Sequence, residues 1–150
     1  MSLDPAVALT VRYGLTLLLA AAATHKLAQP ALFRATVAEY QLLPPAWVAV
    51  AASLIVAAEV ALLLLLLTGS TPRLTSFGLV LILALYSSAI AVNLARGRSA
   101  IACGCIGGAS AALSSALLWR NLGFAVAALM LQLPEQDRPL VWLDWLTVTA

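Results

Sequence analysis

Long apolar stretches separated by short polar breaks dominate the chain. A helix needs about 20 largely apolar residues to cross the hydrocarbon core of a bilayer, which is about 30 Å thick. Four stretches reach that length, and the pattern predicts one membrane-spanning helix in each. The predicted spans cover about residues 6–28, 46–67, 74–95 and 109–133.

Proline and glycine mark the connections between these stretches. Pro30 and Pro44-Pro45 bracket a first connection, 29–45, which has room for a short amphipathic helix around Phe33–Tyr40. A glycine–serine pair followed by a proline makes the second connection short, because proline cannot continue a helix. The third connection, about 96–108, is the polar stretch before the last span.

The predicted fold class is an all-α, integral-membrane four-helix up-down bundle that forms one domain over residues 1–150. Short connections join the helices, since backbone polar groups in lipid must be satisfied within helices. A tail with Trp142 and Trp145 follows and predicts an interfacial anchor, because tryptophan favours the headgroup region. We call the end of the bundle with the first and third connections side B, and the end with both termini side A.

Composition agrees with a membrane protein and excludes several other classes. Hydrophobic residues make up 63% of the chain and charged residues 9%, against about 25% charged in an ordinary soluble domain. This composition excludes intrinsic disorder, which needs low hydrophobicity and high net charge. A net charge of +2 without a basic cluster provides no positively charged patch of the kind that binds nucleic acid. Two cysteines and one histidine are too few for a four-ligand structural zinc site.

Two opposite charges lie deep within the predicted spans. Counted from side B, Glu59 is about 20 Å and Arg120 about 17 Å into its helix. Burying either charge alone costs at least about 2.5–3 kcal/mol. We therefore predict that Glu59 and Arg120 form an inward-facing ion pair or share a polar network with Asn121. Two roles remain open for these residues, a structural staple and the lining of a substrate or quinone pocket.

The most specific chemical motif is Cys103-Gly104-Cys105 in the third connection. Thiols one residue apart can form a disulfide only through a turn, and such a small, strained ring is typical of labile or catalytic disulfides. The following helix dipole and the Lys26 cation, predicted at the same side B, would lower the pKa of a thiol. His25 would shuttle a proton. These residues predict a redox-active thiol site.

Other interpretations of the cysteines stay open. The two thiols can be buried small hydrophobic side chains or a static disulfide. They can also bind a soft metal such as Cu(I), with His25 as a third ligand. For His25, a structural role competes with the catalytic one.

Taken together, these motifs resemble the methylamine-utilisation protein MauE family, part of a wider DoxX-like set of small redox-associated membrane proteins. The resemblance covers about residues 9–130, and its most specific elements are the cysteine motif and the later Arg-Asn pair. Ile106 departs from the pattern, because relatives commonly have an aromatic residue after the second cysteine. The motifs that carry the resemblance are Lys26, Phe33-Arg34 with Val37, Tyr40 to Leu43-Pro44, Glu59, Asn93-Leu94, Arg96-Gly97, Cys103-Gly104-Cys105-Ile106-Gly107 and Arg120-Asn121.

The resemblance implies a role in the maturation of methylamine dehydrogenase, whose small subunit is rich in disulfides. It also implies a thioredoxin-like partner, thiol–disulfide oxidoreductase chemistry and a multi-pass location in a bacterial inner membrane. The layout, four helices with a thiol pair at one end, is similar to that of vitamin K epoxide reductase and DsbB. Because those proteins pass electrons between thiols and a quinone, a quinone is the candidate cofactor. A non-enzymatic assembly factor and a copper-binding membrane protein are the alternatives.

Basic residues do not fix the orientation in the membrane. Their excess at side B would place the cysteines in the cytoplasm by the positive-inside rule, whereas disulfide chemistry favours the periplasm. The orientation therefore stays open. Side B has Lys26, Arg34, Arg96 and Arg98, and side A has Arg12, Arg73 and Arg138.

Overall fold

Five α-helices account for most of the structure. The computed structural model describes residues 3–69, 71–99, 101 and 113–134. The all-helical class predicted from the hydrophobic pattern is confirmed, and so is the short helix in the first connection. The helices are α1 (Pro5–Ala28), α2 (Pro30–Glu39), α3 (Pro45–Thr68), α4 (Pro72–Ala95) and α5 (Ser115–Met130).

Proline starts four of the five helices. Pro5, Pro30, Pro45 and Pro72 each occupy the first helical position. Proline suits this position because its fixed φ matches the helix and its missing N–H would have no intrahelical partner there. Asp4 caps α1 by accepting a hydrogen bond of 2.9 Å from a backbone amide of the first turn. The helix starts therefore follow directly from the sequence.

Three helices are long and apolar enough to cross a membrane, namely α1, α3 and α4, with 24 residues each. Each extends about 36 Å at 1.5 Å per residue. The last helix, α5, has only 16 residues, or about 24 Å. The predicted fourth span, 109–133, is thus shorter among the described residues, and its first four positions lie outside them. The fourth span and the four-span bundle remain predictions.

Large apolar side chains cover the outer faces of the long helices. Leu17 of α1 is 71% exposed and Leu81 of α4 is 73% exposed. Such side chains on several helices form a surface suited to lipid rather than water. Helix length and surface together indicate a multi-pass membrane protein.

Helices α1, α3, α4 and α5 form a closed ring in which each helix packs against two neighbours. Helix α1 contacts α3 and α5, and α4 also contacts α3 and α5, so that α3 and α5 lie diagonally opposite each other. No direct packing joins α3 to α5 among the described residues. Helix α2 packs against α3 and the end of α1. The centre of the bundle is therefore enclosed by α1, α3, α4 and α5.

Helix α1 is displaced toward side A relative to α3. Arg12, in the second turn of α1, donates hydrogen bonds to the carbonyls of Leu66 and Leu67 near the end of α3, at 2.8 and 3.1 Å. About one and a half turns of α1 therefore extend past α3 on side A, and a similar length of α3 extends past α1 on side B. Helix α2 covers that exposed part of α3.

Two apolar clusters occupy the ends of the bundle, and a polar layer lies between them. The cluster toward side A comprises Leu15, Leu19, Leu62, Leu66, Leu79, Ile82 and Ala128. The cluster toward side B comprises Tyr40, Ile90, Ile101, Leu113 and Leu117. The layer between them contains the buried polar residues Lys26, Glu59 and Asn121.

Gly69, which ends α3, provides a test of this packing. Its φ is +66°, and a Cβ there would lie 2.6 Å from the Arg12 guanidinium, whereas Gly97 has a similar φ of +72° with no atom within 4 Å of a Cβ. We expect Gly97→Ala to cost about 1 kcal/mol from backbone strain alone. Gly69→Ala should cost about twice that, because it also displaces Arg12 from the α3 carbonyls. Thermal unfolding in detergent measures both, and equal losses would contradict the capping role of Arg12.

Candidate functional site

A buried ion pair with a tyrosine lies in the polar layer. Lys26 of α1 donates a hydrogen bond to Oε1 of Glu59 of α3, and both side chains are at most 2% exposed. The Lys26 ammonium also donates to the Tyr86 hydroxyl of α4 at 2.6 Å, and that hydroxyl donates to Glu59 Oε1 at 2.5 Å. One carboxylate oxygen thus joins three helices. We call these three residues the core triad.

Helix direction brings the two charged side chains of the triad together. Side chains lean toward the N-terminus of their own helix. Because α1 and α3 are antiparallel, Lys26 leans toward side A and Glu59 toward side B. The long lysine side chain therefore reaches a carboxylate that lies more than one turn away along the axis, near the middle of α3.

Aromatic rings enclose the ammonium group. The Lys26 nitrogen lies 4.9 Å from the ring centroid of Phe33 and 4.8 Å from that of Tyr86. Both distances suit a cation–π interaction, which is strongest where the cation is desolvated. Phe33 belongs to α2 and is buried, so the short helix of the first connection closes the triad from side B.

The predicted direct ion pair between Glu59 and Arg120 is wrong. Glu59 instead pairs with Lys26, which forms the only ion pair found among the described residues. The depth count assumed that α1 ends at the side-B surface, which would leave Lys26 far from Glu59. The displacement of α1 toward side A shortens this distance, and the long Lys26 side chain spans the rest to reach the Glu59 carboxylate, so lysine takes the place assigned to arginine.

Arg120 and Asn121 nevertheless lie beside the triad. Asn121 is buried, and its amide donates to Ser87 Oγ of α4 at 3.3 Å. Arg120 Nε is buried without a hydrogen-bond partner, and the same is true of Glu59 Oε2. Arg120, Asn121, Glu59 and Tyr86 line one central cavity of about 40 Å³. These residues therefore line one cavity, and the polar network predicted for Glu59, Arg120 and Asn121 stays a prediction.

His25 lies one residue before Lys26 in the last turn of α1 and is partly buried. No hydrogen bond from its ring to another described residue is found, and it is not part of the core triad. Among the described residues no cluster of three or more metal-binding side chains exists. Since Cys103 and Cys105 lie outside the described residues, the copper site that would use His25 stays a prediction.

Two arginines organise side B. Arg98 donates to Asn93 Oδ1 at 3.3 Å and to the Glu39 carbonyl at 3.0 Å, and Arg96 donates to the Gln41 carbonyl at 3.3 Å. Cations favour the C-terminal end of a helix, where backbone carbonyls lack intrahelical partners. The two guanidinium groups thus fix the end of α2 to the segment that follows α4.

The segments on either side of the cysteine motif meet at side B. The backbone amide of Leu113 donates to the carbonyls of Ser99 and Ile101, at 2.9 and 3.3 Å. Ile101 and Leu113 are both buried in the side-B cluster. Both cysteines belong to residues 102–112, between these two segments and outside the described residues. These backbone bonds hold together the two described segments on either side of the motif, and we call Ser99, Ile101 and Leu113 the loop base.

Tyr86 is the site residue that the sequence analysis missed. It lies fourteen residues after the proline that starts its helix, as Glu59 does in α3. The depth count that found Glu59 and Arg120 would therefore have found Tyr86 had it included uncharged polar residues. Phe33 carried no polar signal and could not have been placed near Lys26 in this way.

Comparison with known proteins agrees with the family resemblance that the sequence motifs carry. A family model described as "Methylamine utilisation protein MauE" matches residues 4–134. The methylamine utilization protein MauE of Methylophilus methylotrophus is 41% identical over 103 residues, which cover 69% of this chain and 54% of that protein. The protein of the same name from Methylorubrum extorquens is 38% identical over 127 residues, with coverages of 83% and 68%.

The chain spans about half the length of the Methylophilus relative, with 54% covered. No solved structure matches the chain significantly. The family model nevertheless covers nearly all the described residues, including the core triad, Arg96 and Arg98. The resemblance inferred from the motifs is confirmed, and the chain belongs to the MauE family of methylamine utilisation proteins.

Proposed function

We propose that this chain is a thiol–disulfide redox protein of the bacterial inner membrane that serves methylamine utilisation. In this proposal Cys103 and Cys105 cycle between dithiol and disulfide at side B. A thioredoxin-like protein exchanges equivalents with them, and the disulfide-rich small subunit of methylamine dehydrogenase is the final recipient. The observation that supports the proposal is the loop base, in which the Leu113 amide bonds to the Ser99 and Ile101 carbonyls and so brings together the chain on either side of the cysteines.

The redox step balances with a partner disulfide as oxidant. Oxidation of the Cys103 and Cys105 thiols forms one S–S bond and releases two protons and two electrons. A disulfide of the thioredoxin-like partner accepts the electrons and becomes a dithiol. The exchange passes through a mixed disulfide formed when a thiolate attacks a disulfide sulfur. Lys26 and His25, both in the last turn of α1, are proposed to favour the thiolate by positive charge and by proton transfer.

The geometry of the polar layer favours a structural staple for Glu59, Arg120 and Asn121. A pocket that holds a drug-sized ligand is usually about 300–1,000 Å³, whereas the cavity lined by these residues measures about 40 Å³. The cavity is too small for a quinone ring, so we do not route the reaction through a quinone there. The proposed four-span bundle is then held together at mid-depth by the core triad.

A non-enzymatic assembly factor is the second candidate. The burial of Lys26 supports this candidate, because an ammonium group engaged by Glu59 and Tyr86 is less available to a thiolate. In that case the chain would position a redox partner at side B, and its cysteines would be dispensable.

Complementation tests the proposed pathway. We expect this chain to restore growth on methylamine to a methylotroph that lacks its own MauE, with methylamine dehydrogenase activity rising at least tenfold over the vector control. Immunoblotting of the membrane fraction confirms that the chain is present. A strain with the chain in its membrane but no active dehydrogenase would contradict the proposed role in this pathway.

A further inference from the structure

One carboxylate oxygen and one guanidinium nitrogen beside the central cavity lack hydrogen-bond partners. Glu59 is 1% exposed, and its Oε2 has no hydrogen-bond partner, while Oε1 is occupied by Lys26 and Tyr86. Arg120 Nε is likewise buried and without a partner. Both residues line the cavity of about 40 Å³. Because a buried donor or acceptor atom without a partner is costly, a molecule in the cavity that bonds to both atoms would be stabilising.

The walls of the cavity limit the charge of that occupant. Arg120 disfavours a cation, and Glu59 disfavours an anion. Apart from the neutral Asn121 and Tyr86, the remaining lining residues are apolar and come from α1, α4 and α5. The occupant must therefore be neutral, and it must both donate and accept a hydrogen bond. The apolar lining residues include Leu15, Leu19, Ala22, Leu79, Ile82 and Phe124.

The size of the cavity selects water. One water needs about 10–15 Å³ of probe-occupied volume and two to four polar partners. A cavity of about 40 Å³ therefore has room for about three waters. We propose that the central cavity is a hydration site, in which ordered water donates to Glu59 Oε2 and accepts from Arg120 Nε. Arg120 is then the second counter-ion of Glu59 and acts on it through water.

This hydration site explains how the bundle is held across its diagonal. Glu59 is on α3 and Arg120 is on α5, the two helices that do not pack directly against each other. Water-mediated hydrogen bonds are enthalpically nearly as good as direct ones. Through the core triad, the water connects α5 to α1, α3 and α4. Arg120 is thus a positioning residue for the triad, and this role does not depend on the proposed redox function.

Solid-state NMR of the full chain in lipid nanodiscs tests the site directly. With arginine labelled by ¹⁵N, we expect magnetisation transfer from water to the Arg120 Nε–H, a signal that Arg120→Met assigns by its loss. Ala22 lines the cavity, and Ala22→Leu should fill it and reduce that transfer at least threefold. Absence of transfer in the wild-type chain, or unchanged transfer in Ala22→Leu, would overturn the hydration site.

Thermal unfolding supplies a second, independent measurement. Glu59→Gln and Arg120→Met should be non-additive by about 2–4 °C in Tm, because each removes one end of the same water bridge. The coupling should vanish when both changes are made in the Ala22→Leu background. As the matched control, Glu59→Gln and Arg12→Met should be additive, since Arg12 caps the far end of α3. Additivity of the Glu59 and Arg120 changes would contradict the role of Arg120, and coupling that survives Ala22→Leu would indicate direct contact instead.

Discussion

Glu59→Ala is expected to destabilise the chain by about 3–5 kcal/mol, enough to lower Tm by about 10 °C or to prevent folding. The loss is large because the variant leaves Lys26 buried at 1% exposure without its counter-ion. Glu39→Ala is the matched control, since Glu39 is exposed at the end of α2 and only its backbone carbonyl accepts from Arg98. It should change stability by no more than about 0.5 kcal/mol.

Two further variants separate the contribution of the Tyr86 hydroxyl to stability from that of the two buried charges. Tyr86→Phe keeps the ring over Lys26 and removes the hydroxyl, so it should cost about 1.5–3 kcal/mol. The double change Lys26→Met with Glu59→Leu removes both charges and should recover most of the stability lost in Glu59→Ala. Thermal unfolding followed by circular dichroism in detergent measures the series. A Glu59→Ala chain as stable as Glu39→Ala would show that the core triad does not hold the bundle.

Replacing both Cys103 and Cys105 with serine is expected to abolish methylamine dehydrogenase maturation in the complementation strain while leaving Tm within about 2 °C of the parent. Function is lost because serine cannot form the disulfide, and stability is retained because the core triad and the apolar clusters described above keep all their residues. Ser114→Ala, an exposed change beside the loop base, serves as the control and should retain full activity.

The single cysteine variants add a mechanistic readout. With one thiol left, the mixed disulfide with a thioredoxin-like partner cannot be resolved and should accumulate as a covalent adduct. Non-reducing electrophoresis detects that adduct. If the double serine variant matures the dehydrogenase normally, the chain is an assembly factor and the thiol chemistry proposed for it is wrong.

The sequence predicts the helices better than it predicts the contacts within the site. Helix starts were predictable because Pro30, Pro45 and Pro72 fix them locally, and a proline has the same effect on the backbone wherever the helix packs. The depth of Glu59 was also predictable, since it depends only on the rise per residue within α3. Its membership of a polar layer followed from the cost of burying a charge in lipid.

The partner of Glu59 was not predictable in the same way. A depth count fixes positions within one helix, whereas a contact depends on how far two helices slide past each other. That offset is set by tertiary contacts such as the bond from Arg12 to Leu66, which have no local sequence signal. The depth count within α1 therefore places Lys26 at the surface of side B, whereas in the structure the displaced α1 carries its side chain into the core. The cysteine motif was identified from its residue types and their spacing, and both cysteines lie outside the described residues.

A redox titration of the purified full chain, with thiol alkylation followed by mass spectrometry, tests the central claim most directly. The account predicts a reversible Cys103–Cys105 disulfide with a reduction potential above about −250 mV, in the range of catalytic redox proteins. Thiols that never pair, or a disulfide that resists reduction below about −300 mV, would contradict redox cycling and would point to metal binding or a structural link instead.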